Sequence, residues 1–234
     1  MMTTIYSETI WPSIFAALSY LQQQRNDKMS SKVRAGINFS IILGSACYLE
    51  GVLETALKAL LAHRRINYRR LRGKMAEQRP MNFFYNRIED DLEKRIRSST
   101  GTDGYDPMFD LLIGQRWSKL PKVAPLWEGI TVLFQLRNVL GHGREVIAKH
   151  VIAYWTPERG EEQFSGGYRR AEDYLQKMKL LDKKFTEAHS EYVFLSDKIA
   201  DHFWDLARQV PKAVSKSLES RERRVFDKAV FSKR

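Results

Sequence analysis

Residues 126–142 read LWEGITVLFQLRNVLGH, and the fold class follows from how apolar and polar positions are distributed along them. Apolar residues at 126, 130, 132, 133, 134, 136, 139 and 140 are too many for a surface helix and suit a central one. The polar remainder is ordered. Glu128, Thr131, Gln135, Asn138 and His142 follow one another at intervals of 3, 4, 3 and 4, so they fall on a single stripe. Gly141 and Gly143 then stop the helix. An apolar helix with one polar stripe reads as the central helix of an all-α, helical-bundle protein.

Upstream, a long helix is predicted from Ser30 or Ser31 to about Leu71, with Phe39, Leu43, Ala46, Leu53, Leu57 and Leu61 on one face. Gly36, Gly44 and Gly51 allow it to bend or break. Ser13 to Arg25 reads as an earlier helix, with Pro12 near its first turn where the missing N–H is harmless. Pro80 precedes a charged amphipathic helix over 81–97, and SSTGTDGYDP (98–107) reads as a loop.

Downstream, HVIAYW (150–155) has strand-like composition and TPERGEEQFSGG (156–167) is turn-rich, compatible with a small β-hairpin near 150–165. Tyr168 to Leu181 and Leu195 to Leu218 read as helices, the latter with Ser196 as N-cap. The charged tail from Arg221 to Arg234 is expected to fray. The extended region places a boundary near residue 145. Residues 1–145 then form a helical domain and 146–234 a C-terminal extension packed on it.

At 234 residues the chain can bury a core without disulfide or metal staples. Its single cysteine, Cys47, lies in an apolar stretch, which fits a reducing compartment and excludes an internal disulfide or a thiolate cluster. The N-terminus has no basic region ahead of an apolar run and does not read as a secretory signal. The most apolar segment, 39–61, carries Glu50, Glu54 and Lys58, so it reads as a core helix and not a membrane span. A cytoplasmic protein without a membrane partner is expected. His150, His189 and His202 show no ligand spacing, and neither a metal nor a cofactor is inferred. The tryptophans and tyrosines sit mostly at apolar spacings and read as core.

A formal net charge of +11 and a pI near 9.7 favour polyanions, with nucleic acid first. The stretch HRRINYRRLRGKMAEQR (63–79) concentrates that charge. Arg64, Arg65, Arg69, Arg70, Arg72 and Lys74 surround Tyr68, an arrangement suited to a phosphate backbone with one stacking ring, although a solvated helix end gives the same pattern.

Arg137 and His142 carry the chemistry. A guanidinium offers a permanent charge shaped for phosphate oxygens, and an imidazole transfers protons near neutral pH. In RNA cleavage by internal transesterification the 2′-hydroxyl attacks phosphorus while a proton leaves it and another reaches the departing 5′-oxygen. His142 suits proton transfer, Arg137 suits the charge on the phosphorane, and Asn138 can hold either group through its amide. On a regular helix five residues separate Arg137 and His142 by roughly 140°, so they do not share a face. Either the glycines turn the backbone at His142, or a second subunit supplies its own copies across a twofold axis. Glu50, on the apolar face of the long helix, needs a partner; Arg137 is a candidate and so is another basic residue, with Glu54 as a substitute.

Arg137-Asn138-x3-His142, at the end of an apolar helix and followed by Gly143, resembles the Arg-x4-6-His signature of the HEPN superfamily. The phrase LFQLRNVLGHG is similar to that family's motif helix, and FSIILGSACYLEGVLETALKALL to its preceding core helix. The likeness spans roughly residues 30–145. It implies a helical bundle, a twofold dimer joining two motifs in one cleft, and often metal-independent endoribonuclease activity in toxin–antitoxin, antiviral-defence or RNA-processing roles. Such a protein would have RNA as substrate and an antitoxin or defence-system component as a further partner. Family members paired with a nucleotidyltransferase antitoxin commonly carry a tyrosine two positions after the motif histidine. Arg144 stands there in this chain and is grouped with the RNA-contacting cations. Two other readings remain: an RNA-binding HEPN module that does not cleave, and a protein-interaction subunit whose basic face meets an acidic partner.

Overall fold

The computed structural model describes residues 10–72, 79–141, 166–181 and 193–232. Among them lie eight α-helices: α1 (Trp11–Gln24), α2 (Ser31–Arg72), α3 (Arg79–Ser98), α4 (Gly101–Ile113), α5 (Trp127–Gly141), α6 (Gly166–Lys177), α7 (Asp197–Ser217) and α8 (Ser220–Val230). Short 3-10 turns occupy Trp117–Lys119, Ala124–Leu126 and Val193–Leu195. No strand occurs among the described residues, and the protein is all-α. The segment 150–165, where the sequence is compatible with a hairpin, lies outside them.

The chain forms two compact units. The first comprises Met1–Pro12, Leu49–Pro125 and Val210–Arg234; the second comprises Ser13–Tyr48 and Leu126–Gln209. Helices α1, α2 and α7 contribute residues to both.

Helix α2 runs 42 residues without a break. Ser30 caps it, its hydroxyl accepting the Val33 N–H at 3.4 Å. Its fully buried residues include Ile42, Ala46, Leu49, Leu53, Ala56 and Leu60, flanked by Ile41, Ser45, Tyr48, Val52 and Leu57. The buried surface is thus wider than the stripe read from sequence, and Phe39, Leu43 and Leu61 at that stripe's edge are only half-buried. The glycines do not break the helix. A Cβ on Gly44 would come within 2.6 Å of Leu18 in the second unit, and one on Gly51 within 2.9 Å of Trp11 in the first. Both positions serve close approach. By length and composition 31–64 could cross a bilayer, but half of its apolar window is buried within the fold.

In the first unit, α4 corrects the expectation of a loop over 98–107. Gly, Ser, Asp and Pro favour turns locally, but Tyr105, Met108, Phe109 and Leu112 recur at helical spacing and all four are buried. Burial of that face outweighs the local preference, and Pro107 is accommodated within the helix. Gly114 ends it in the left-handed region at φ 76°, donating its N–H to Asp110 O at 2.8 Å. Asp106 then accepts both the N–H and the hydroxyl of Ser118, at 2.7 and 3.1 Å, which fixes the turn carrying Trp117 against Phe109.

The C-terminal tail also departs from the sequence reading. It forms α8, with Phe226 and Val230 buried. Arg223 closes the preceding helix by donating to the carbonyls of Ser215, Lys216 and Leu218 at 2.9, 3.2 and 2.9 Å. Carbonyls at a helix end that lack intrahelical donors are satisfied this way.

In the second unit a polar network ties α1 and α2 to the start of α7. Asn38 is 1% exposed. Its amide nitrogen donates to Leu195 O and Asp197 Oδ1, each at 2.7 Å, and its oxygen accepts from Arg25 at 3.1 Å. Arg34 grips Asp197, and Arg25, with a side chain 7% exposed, pairs with Asp201. The Arg34 guanidinium holds the Asp197 carboxyl below its usual range. Ser196 caps α7 as its sequence position predicts, accepting the Ile199 N–H at 3.4 Å. Because removing Asn38 strands the half-buried Leu195 carbonyl and loosens a carboxylate, Asn38→Ala is expected to cost about 1–3 kcal/mol. Urea unfolding measures this, and a midpoint equal to wild type would refute it.

Candidate functional site

Helix α5 belongs to the second unit and has the two faces its sequence demands. Ile130, Val132, Leu133, Phe134 and Leu136 are buried, while Glu128 and Asn138 are exposed and Thr131 and Gln135 half-buried. The polar stripe is therefore real over its described length. Glu128 pairs with Lys177 of α6 at 2.7 Å, and the Thr131 hydroxyl donates to Trp127 O at 3.0 Å. Gln135 Oε1 is buried and has no hydrogen-bond partner among the described residues.

What fixes α5 in place is an approach permitted by Gly129. A Cβ there would lie 2.4 Å from the Tyr174 hydroxyl of α6 and 3.0 Å from Leu206 Cδ2 of α7. The same hydroxyl is 2.8 Å from His202 Nε2. Burial, with the Glu128 carboxylate adding to it, pushes the Tyr174 phenol up to about 12, so it keeps its proton. Burial also pulls His202 down, against the opposing influence of Asp205. A protonated phenol beside a neutral imidazole is an O–H donor facing a nitrogen acceptor. Sequence spacing misses this pair because its members are 28 residues apart on different helices.

Of the residues singled out from sequence, Arg137 and Asn138 lie near the C-terminal end of α5. Arg137 is half-buried, its guanidinium carbon 5.7 Å from the centre of the Phe134 ring. Ring and cation attract, and the contact limits where the guanidinium can point. His142, Arg144 and Lys74 lie outside the described residues. Arg64 is exposed on α2, and Arg65, Tyr68, Arg69, Arg70 and Arg72 occupy the last turns of that helix.

Glu50 and Glu54 sit in the first unit. Glu50 Oε1 accepts the Gly101 N–H at 3.0 Å, so the start of α4 meets part of its need for a partner. The same start carries the helix's positive dipole end, which suits a carboxylate. Glu54 pairs with Lys58 one turn on. A cavity of about 160 Å³ in this unit is lined by Lys58, Leu61, Ala62, Glu89 and Glu93, and its two carboxylates make it a poor receptor for phosphate. Among the described residues no group of three or more His, Cys, Asp or Glu is placed to hold a metal ion.

Comparison of the chain with family models, with curated proteins and with solved structures finds no match.

The depressed His202 gives a signed expectation. Its neutral form is favoured when folded, so the associated stability is present above the unfolded value of about 6.5 and is lost as pH falls towards the lower folded value. Between pH 7 and pH 5 the urea midpoint of wild type should therefore fall more than that of His202→Gln, whose amide oxygen can still accept from Tyr174. A stability difference between the two that stays constant across this range would show that His202 is not the titrating group.

Proposed function

We propose that the chain is a homodimeric endoribonuclease of HEPN type, cleaving single-stranded or loop RNA without a metal, in a toxin, antiphage or stress-defence role. The observation that carries this reading is the placement of Arg137 and Asn138 near the end of the closely packed α5, five and four residues before His142 in sequence. A helix held by Gly129 and a guanidinium resting on Phe134 provide the fixed placement that charge stabilisation in a transition state requires.

In the proposed reaction RNA enters with a phosphodiester against the Arg137 guanidinium. His142 transfers protons between the 2′-hydroxyl and the 5′-oxygen as the O–P bond to the 2′-oxygen forms and that to the 5′-oxygen breaks. Asn138, exposed beside Arg137, orients the imidazole or a phosphate oxygen. The nucleophile is the substrate's own hydroxyl, so no metal-activated water is required. A twofold axis near α5 would bring two stripes together, resolve the angular offset between Arg137 and His142, and offer a partner to Gln135 Oε1. An RNA-binding module that does not cleave is the second reading, supported by the basic charge alone.

Cleavage of total RNA in EDTA by wild type, with products ending in a 2′,3′-cyclic phosphate, is the expected result. His142→Ala should lower the rate by about 10²–10⁴ and leave RNA affinity nearly unchanged. Arg137→Ala should lower both, because the guanidinium attracts phosphate before and during reaction. If His142→Ala cleaves as fast as wild type, the mechanism fails; if neither cleaves, the binding module is the better reading. Light scattering at micromolar concentration should give twice the chain mass, and a monomer there would remove the composite cleft.

A further inference from the structure

The positive charge of the chain is not shared evenly. The segments of the first unit contain 23 Lys and Arg against 14 Asp and Glu, a net +9, whereas those of the second contain 16 against 14, a net +2. Nearly all of the attraction for a polyanion therefore originates in the unit that lacks Arg137.

Within that unit the end of α2 and the first turn of α8 are in contact. Arg221 Nε donates to His63 Nε2 at 3.1 Å, so the imidazole nitrogen facing it is unprotonated. Arg64, next to His63 on α2, is exposed. Along α8, Arg221, Arg224 and Lys228 recur at intervals of three and four, fall on one face, and are all exposed. The opposite face buries Phe226 and Val230, and Arg223 is occupied by the end of α7. Among the described residues no carboxylate pairs with Arg64, Arg221, Arg224 or Lys228. Elsewhere among the described residues Lys177 meets its neighbouring helix through the Glu128 carboxylate. Here a guanidinium donates to an imidazole nitrogen instead, and no carboxylate among the described residues offsets its charge.

We propose that α8 supplies the second half of a phosphate-binding surface, in which Arg221, Arg224 and Lys228 continue the basic end of α2 and hold the sugar–phosphate backbone of single-stranded RNA. The surface contributes affinity and no sequence choice, since contacts to phosphate position a nucleic acid without reading it. This inference rests on reading the chain as an RNA-handling protein, but not on cleavage.

The test uses the full chain carrying His142→Ala, so that binding is read without turnover. Fluorescent oligouridine is titrated across a salt series. Replacing Arg221, Arg224 and Lys228 together with Gln preserves helix propensity and removes three charges. The expected result is affinity at least tenfold weaker near 0.1 M salt and a log–log salt slope shallower by about 2, from roughly 0.7 per phosphate contact on a single strand. A second triple, Lys32→Gln, Arg170→Gln and Lys198→Gln, removes the same charge from the second unit and should change affinity less than twofold. Equal losses in the two triples would mean that only net charge matters and would overturn the proposal. So would unchanged binding in the α8 triple when its circular dichroism and urea midpoint match wild type. Polyglutamate competing as well as oligouridine would assign the surface to an acidic protein. Loss of cleavage in wild type with these binding results intact would remove the nuclease reading and leave this one standing.

Discussion

Helix α2 buries side chains from Ala35 to Leu60, and a helix so enclosed can accept neighbours only where its surface is small or its polar groups are paired. Gly44 and Gly51 meet the first condition by admitting Leu18 and Trp11. Asn38 meets the second, its amide bonded to Arg25, Leu195 and Asp197. An unpaired amide at 1% exposure would be costly, so Asn38 specifies which residues must stand beside it as well as adding stability. The start of α7 is thereby set, and α7 in turn presents His202 and Leu206 to the neighbourhood of Gly129.

Charge and motif belong to different units. A surface of exposed cations can hold RNA at many registers but cannot select the bond to be broken. A single guanidinium on a rigid helix can select a phosphate but contributes little long-range attraction. In the proposed reading, dividing the two tasks frees each from the demands of the other. It also fits the electrostatics of α5, whose C-terminal end carries the negative pole of the helix dipole and by itself repels a phosphate. A cation at position 137 offsets that pole, which is one physical reason for an arginine, permanently charged, where a histidine would be neutral half the time.

Helix α5 was legible in sequence because both its faces are encoded in one continuous stretch, with apolar positions for burial and polar positions at helical spacing. The start of α2 and the Ser196 cap were legible for the same local reason. The helix over 101–113 was hidden because its composition favours turns and only burial of Tyr105, Phe109 and Leu112 makes it a helix. In the tail the density of charge masked Phe226 and Val230, which suffice to dock α8. Glu50 shows the limit most clearly. Its need for a partner is evident from its place among apolar residues, but one partner it finds is a backbone N–H of α4, and backbone groups leave no mark in a sequence pattern.

The Tyr174–His202 pair bears on how α5 keeps its position as pH changes. The phenol lies where a side chain at residue 129 would be, so displacing it would disturb the packing of three helices at one point. As long as His202 is neutral its ring nitrogen accepts a hydrogen bond from the phenol and the hydroxyl stays where α5 requires it. On protonation the imidazole becomes a donor on both nitrogens, the phenol must turn a lone pair towards it, and the Glu128 carboxylate, which opposes phenol ionisation, gains a nearby positive charge to answer. The geometry of Arg137 at the far end of the same helix thus depends on a group whose neutral form is favoured by burial. The proton-transferring residue proposed for the chemistry is also a histidine, so acid would weaken the support and the reaction together.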